Sequence, residues 1–135
     1  MTSSDLRLLA PTLDPPVTIC VLLYGEHFFL CERFFTNLFR HTPADAFHLR
    51  IGLNAVCPQT ANYVRDIARR HPGAQIHESP TNIYKGPMSR RLFHKDPIQT
   101  TWTLWFDDDS FVARNDWIAS LGLAMEAKPH VALWG

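Results

Sequence analysis

The chain has 135 residues, of which 46% are hydrophobic and 12% aromatic, enough apolar material for the core of one folded domain. Lysine plus arginine equals aspartate plus glutamate at 13 each, so no global field would draw the chain to nucleic acid or an anionic membrane. No apolar run approaches the roughly 18 residues that span a bilayer.

The N-terminal segment, residues 1–16, has neither the basic start nor the apolar core of a signal peptide. We expect it to be a flexible leader, followed by a single domain over residues 17–135. The cysteines are odd in number and show no CxxC spacing, so neither a disulfide framework nor a zinc site is indicated. They fit a reducing cytosol, and the chain is expected to be cytoplasmic. They are Cys20, Cys31 and Cys57.

Strands and helices are predicted to alternate along this domain. The run VTICVLLY is continuously apolar, which is typical of a strand buried on both faces. Alternation indicates right-handed βαβ crossovers and a mainly parallel, Rossmann-like sheet in a three-layer α/β sandwich. The predicted strands are 17–24, 47–53, 75–78, 100–107 and a fifth starting at 130–134; the predicted helices are 26–40, 58–70, 87–95 and 116–128, the last capped by Asn115.

Three adjacent acids, Asp107, Asp108 and Asp109, follow the apolar run TTWTLWF. In parallel sheets ligands bind beyond the carboxyl ends of the strands, where the strand order reverses. With the order 3-2-1-4, these acids would meet the end of the first strand at that point. Clustered carboxylates there suit a hard cation such as Mg²⁺ or Mn²⁺, which takes oxygen ligands. The alternative is a solvated turn whose acids help to start the next helix.

The stretch WFDDDSFV, preceded by VTICVLLYGEHFFLCERFFTNLFRHT, resembles the GT-A glycosyltransferases, most closely those of family 2. By this resemblance the acids form a DxD motif. Asp107 and Asp109 would hold a Mn²⁺ or Mg²⁺ ion that bridges the diphosphate of a nucleotide sugar, usually a UDP-sugar, with Asp109 as the direct ligand. Asp108 would approach the ribose or the sugar. The implied fold is the GT-A fold, of which residues 17–135 would be the nucleotide-sugar-binding part.

Other positions are expected to contact the nucleotide. Family 2 enzymes commonly have an aspartate that contacts uracil where this chain has Asn54, whose amide can still pair with a base edge. Tyr24 would either stack on the base or pack against the first helix. Lys85 and Arg91 flank a helix start predicted at Pro87, where a cation and free N–H groups could meet a diphosphate.

The resulting prediction is a metal-dependent glycosyltransferase that moves a sugar, expected to be hexosyl, from a nucleotide sugar to an acceptor hydroxyl. No catalytic base is assigned, because it would lie beyond Gly135. The apolar ending HVALWG is expected to be a strand in the first part of a longer protein, and the unpaired sheet edge that it leaves would favour oligomers. One alternative is a haloacid-dehalogenase-type phosphotransferase with Asp107 as nucleophile. In enzymes of that type the DxD motif normally ends the first strand of the domain, whereas here it would end the fourth. The other is a nucleotide-sugar-binding module without catalysis.

Overall fold

A computed structural model describes residues 17–134, so the predicted leader and Gly135 lie outside the described residues. The elements are β1 (Val17–Tyr24), α1 (Phe28–His41), a 3-10 turn (Ala44–Ala46), β2 (Phe47–Asn54), α2 (Pro58–Arg70), β3 (Gln75–Ser79), α3 (Lys85–His94), β4 (Thr103–Asp107) and α4 (Trp117–Ala127). Strands and helices alternate as the sequence predicts.

The four strands form one parallel sheet in the order β3-β2-β1-β4. The chain builds outward from β1 through β2 to β3, and then returns to the other side of β1 with β4. The order therefore reverses between β1 and β4, as predicted. β1 lies in the interior of the sheet, and its residues 17–23 are all buried.

Helices cover both faces of the sheet, which confirms the predicted three-layer α/β sandwich. Alternate residues of β1, such as Ile19 and Val21, face a large aromatic core beneath α1, α2 and α4. The residues between them, Cys20 and Leu22, face α3 and form a smaller cluster with its buried side chains. None of the helices among residues 17–134 is long and apolar enough to cross a membrane.

The close packing of α3 depends on a glycine in β2. A Cβ atom at Gly52 would lie 2.9 Å from Met88 Cγ and 3.2 Å from Leu92 Cδ1. These two side chains are fully buried, so they have little room to withdraw. Gly52 therefore sets the distance between α3 and the sheet, and α3 carries one of the predicted site residues at its start.

Two predicted features at the C-terminal end are wrong. Residues 130–134 form no strand in the described chain, because the Val131 N–H donates to the Lys128 carbonyl in a turn, and no neighbouring strand pairs with the segment. The oligomer expected from a sheet edge there stays a prediction. Asn115 does not cap α4: the N-cap position is Asp116, without a side-chain cap, and Asn115 Oδ1 lies 2.6 Å from His41 Nδ1.

Two element boundaries also differ from the prediction in ways that affect the site. Helix α3 begins at Lys85 rather than at Pro87, so Lys85 lies in the first helical turn. Strand β4 begins at Thr103 rather than at residue 100, and it is only partly buried along its length although it belongs to an apolar run. The reason is its position, because β4 is the edge strand beside β1 in the described sheet.

Candidate functional site

The carboxyl ends of β1 and β4 lie side by side at one edge of the sheet. Leu22 is the register partner of Asp107, so the end of β1 and the start of the acidic stretch are neighbours. The chain turns at once after β4, with the Ser110 N–H donating to the Asp107 carbonyl at 3.1 Å. The tight turn holds all three aspartates at the switch point of the sheet, as the sequence predicts.

Asp107 has a partner at each of its two carboxylate oxygens. Lys85 Nζ donates to Oδ2 at 3.0 Å, and the indole Nε1–H of Trp105 donates to Oδ1 at 3.1 Å. The Lys85 ammonium also lies 5.6 Å from the centroid of the Trp105 ring, within the range of a cation–π contact. The positive charge beside the first aspartate therefore comes from the start of α3.

Asp108 points back toward the end of β1. The Tyr24 backbone at that strand end lies close enough to favour the charged form of the Asp108 carboxylate. Partial burial raises the pKa of Asp108, and the carboxylates of Asp109 and Asp107 add to this rise, whereas the Tyr24 backbone and His27 oppose it. Burial thus disfavours the charged form of Asp108, and a cation bound at this turn would favour it.

Asp109 presents an exposed side chain, while its backbone is held by α1. Arg33 Nη2 donates to the Asp109 carbonyl oxygen at 3.1 Å, and the Arg33 guanidinium carbon lies 4.5 Å from the Phe111 ring centroid. Sequence reasoning missed Arg33, because it is 76 residues away in the chain and lies among other polar residues of α1. Its role in the described structure is to fix the path of the acidic turn.

The acidic turn offers part of the coordination shell of a divalent cation. Within residues 17–134, no group of three or more histidine, cysteine, aspartate or glutamate side chains converges to enclose a metal. The donors that Asp107 and Asp109 offer are hard carboxylate oxygens, and Asp109 is open to solvent. Mg²⁺ and related ions are commonly held by one or two carboxylates plus substrate phosphates. The donor set therefore fits such an ion.

Asn54 is the last residue of β2 and is only 3% exposed. Its Nδ2 donates to Asn82 Oδ1 at 2.9 Å, and its Oδ1 accepts the Ile83 N–H at 2.9 Å. Both ends of the amide therefore bind the segment that leads into α3. The predicted contact between Asn54 and a nucleotide base stays a prediction. In the described structure this side chain holds the backbone that leads from β3 into α3.

The segment held by Asn54 contains a strained residue. Tyr84, the N-cap of α3, has φ 67° and ψ 168°, a backbone conformation used almost only by glycine. Its N–H donates to Asn82 Oδ1 at 2.8 Å, and its carbonyl accepts the Met88 N–H at 3.3 Å. Two asparagines thus hold the turn that aims the first residue of α3, Lys85, at Asp107.

The remaining two predicted site residues, Tyr24 and Arg91, lie in different parts of the structure. Tyr24 is 49% exposed at the end of β1, near Asp108, so its ring is open to solvent beside the acids. Arg91 is exposed on α3, and its Nη1 donates to the Glu78 carbonyl on β3 at 3.4 Å. The structure thus groups Tyr24, Lys85 and the three aspartates, whereas Arg91 contacts β3, the strand at the other edge of the sheet from β4.

No protein-family model matches the chain, and no curated protein matches it either. Solved structures do match. The mannosyltransferase PcManGT from Pyrobaculum calidifontis, solved in complex with GDP-Man and Mn²⁺, is 21% identical with a TM-score of 0.63, over 76% of this chain and 30% of that one. Two structures of S. aureus TarS also match. One is 12% identical with a TM-score of 0.67, over 83% of this chain and 20% of that one. The other, TarS 1-349, is 15% identical with a TM-score of 0.59, over 83% and 32%.

These similarities show a GT-A-type glycosyltransferase fold, as the resemblance of WFDDDSFV and the first strand implies. The chain spans about a third or less of the length of each of these solved proteins. At such identities the likeness extends to the fold alone.

Proposed function

We propose that the chain is the donor-binding part of a metal-dependent glycosyltransferase, which moves a hexosyl group from a nucleoside-diphosphate sugar to an acceptor hydroxyl. One observation carries the proposal. Three consecutive carboxylates, Asp107 to Asp109, lie at the switch point of a parallel sheet whose fold is that of glycosyltransferases. Carboxylates gathered where a GT-A-type sheet opens suit a cation that grips a diphosphate.

In this proposal Asp109 is the direct ligand of a Mn²⁺ or Mg²⁺ ion, and Asp107 is the second carboxylate. When bound, such an ion supplies Lewis-acid stabilisation of the negative charge that grows on the leaving diphosphate. Lys85, in the first turn of α3, would donate to a diphosphate oxygen. Asp108 would approach the ribose or the sugar, and the open ring of Tyr24 would stack on the base.

The nucleotide base is the least constrained element of the donor. UDP follows from the family resemblance, whereas PcManGT was solved with GDP-Man. The amide of Asn54 is buried, and each of its ends binds the chain itself, so its described contacts favour neither uracil nor guanine. Both nucleotides therefore belong in the first test, and no residue is assigned to the acceptor or to a catalytic base.

The phosphotransferase alternative has little support from the geometry. Its nucleophile would be Asp107, but this residue ends the fourth strand of the described domain, whereas the nucleophile of such enzymes normally ends the first. The module without catalysis makes the same binding prediction as the enzyme. The two differ only in sugar transfer by a protein that includes an acceptor-binding part.

Titration calorimetry tests the proposal with UDP, GDP and ADP, each in the presence of Mn²⁺ and again with a chelator. We expect one nucleoside diphosphate to bind only with the metal, and its sugar conjugate to bind as well. Asp109→Asn should abolish this binding, while Glu126→Gln, which removes an exposed acid on α4, should not. Binding that ignores the metal, or that survives Asp109→Asn, would contradict the proposal.

A further inference from the structure

The first aspartate of the acidic turn already carries a cation from the chain itself. Lys85 Nζ lies 3.0 Å from Asp107 Oδ2, and Trp105 Nε1 occupies Oδ1. An ammonium group at that distance repels a divalent cation that approaches the same oxygen, because two positive charges would share one carboxylate. The contact of Lys85 thus has a direct consequence for any ion at Asp107.

The ion pair between Lys85 and Asp107 is exposed enough to separate readily. The side chains are 59% exposed for Lys85 and 45% exposed for Asp107, so water screens their attraction. Lysine has a flexible stem, and the Trp105 ring, 5.6 Å from the ammonium, offers a second favourable surface for the charge. Trp105 in turn is fixed by stacking on Phe93, with centroids 5.7 Å apart, so the indole stays in place when the lysine moves.

We propose that Lys85 and a divalent cation are mutually exclusive partners of Asp107. Lys85 covers Asp107 in the empty site and leaves it when the ion binds, and it is then free to contact the diphosphate. The second step rests on the proposed function; the exclusion itself concerns only this chain and the ion. Lys85 should therefore weaken binding of the free ion but strengthen binding of the ion together with a nucleotide.

Electron paramagnetic resonance of free Mn²⁺ tests the exclusion on the 135-residue chain without any nucleotide. We expect Lys85→Met to tighten Mn²⁺ binding by about 2- to 5-fold, the range that corresponds to the loss of an exposed ion pair. The matched control is Lys95→Met, which makes the same change on an exposed residue just after α3. Ten residues along a helix place it about 15 Å from Lys85, so Mn²⁺ binding should not change.

Unchanged or weaker Mn²⁺ binding in Lys85→Met would overturn the exclusion, and so would an absence of Mn²⁺ binding in all three proteins. A second titration adds UDP or GDP with Mn²⁺ present, where Lys85→Met should weaken nucleotide binding by about tenfold, the loss of one charge-assisted hydrogen bond. Tighter Mn²⁺ binding with no nucleotide binding in any variant supports the exclusion and defeats the proposed function. Weaker nucleotide binding with unchanged Mn²⁺ affinity does the reverse.

Discussion

Asn54 Nδ2 donates to Asn82 Oδ1 at 2.9 Å, and this contact ties the end of β2 to the turn that starts α3. The same Asn82 oxygen accepts the Tyr84 N–H, and Asn54 Oδ1 accepts the Ile83 N–H. One buried amide therefore sets the start of the helix that brings Lys85 to Asp107. A residue that the sequence predicts to contact a base thus also organises the backbone beside the site.

Replacing Asn54 with aspartate tests this arrangement. The acid keeps an acceptor for the Ile83 N–H but turns an oxygen toward Asn82 Oδ1, so one hydrogen bond becomes a repulsion in a buried place. We expect a loss of about 1–3 kcal/mol in the free energy of unfolding. Urea denaturation at neutral pH measures it. Gln59→Glu, the same amide-to-acid change on an exposed residue of α2, should stay within about 0.5 kcal/mol. Equal stability of the two variants would refute the role of Asn54.

Tyr84→Gly should stabilise the chain. Tyr84 is 72% exposed, so little packing is lost, and glycine adopts its backbone conformation without strain. Strain of this kind costs about 1–3 kcal/mol, and part of the gain is offset by the larger entropy of glycine in the unfolded chain. We expect a net gain of about 1 kcal/mol by urea denaturation. Tyr84→Ala retains the backbone strain and should give no gain in stability. Equal gains in the two variants would show that the tyrosine ring, rather than the backbone conformation, destabilises the chain.

Gly52→Ala should destabilise the contact between β2 and α3. The added methyl group would meet Met88 Cγ at 2.9 Å, and overpacking of a closed core costs about 1–3 kcal/mol. Gly73→Ala cannot serve as the control, since its φ of 85° strains any alanine. The double variant Gly52→Ala with Met88→Ala is more informative. It should be more stable than the sum of the two single changes predicts, and strict additivity would argue against the clash.

Stability should fall as the pH falls below neutral, in part because of His77. This residue is 5% exposed on β3, and neither ring nitrogen has a protein partner. Burial lowers its pKa, as do Lys95, Arg50 and Arg91 nearby, whereas Asp96 opposes them. The unfolded chain therefore binds the proton more tightly than the folded chain. The stability that neutral His77 allows is present above the ordinary histidine pKa of about 6.5 and is lost as the pH falls from that value through the lower pKa of the folded state.

His77→Leu should make the free energy of unfolding less dependent on pH between about pH 7.5 and about pH 5.5. Some dependence will remain, since burial also lowers the pKa of His71. Urea denaturation at several pH values gives the slope, with His130→Leu as the control because that histidine is exposed. A slope that His77→Leu leaves unchanged would mean that His77 is protonated equally in both states.

The sequence predicted those features that local patterns encode. The apolar run VTICVLLY predicted an interior strand, and the acids after TTWTLWF predicted an edge rich in carboxylates, because both depend on residues adjacent in the chain. Apolar character alone did not make a strand of residues 130–134, since a strand needs a partner for its backbone groups. The capping residue Asn115 was predicted from its position, but the His41 side chain competes for it.

Local sequence patterns did not predict the contacts between residues that are distant in the chain. Arg33 reaches Asp109 across 76 positions, and Lys85 reaches Asp107 across 22, through elements whose relative placement depends on the whole sheet. Trp105 stacks on Phe93, and its N–H also donates to Asp107. Its second role depends on the rotamer that packing imposes, which the sequence does not encode locally.

Thermal unfolding of the chain with UDP or GDP, each with and without Mn²⁺, tests the central claim most directly when it is repeated on Asp109→Asn. A ligand present at about a hundred times its dissociation constant adds about 2.7 kcal/mol of stability, which raises Tm by several degrees. We predict a rise that requires nucleotide and Mn²⁺ together, that is absent in Asp109→Asn and that persists in Glu126→Gln. A rise with Mn²⁺ alone that no nucleotide enlarges, or one that Asp109→Asn retains, would contradict a nucleotide-sugar site at the acidic turn.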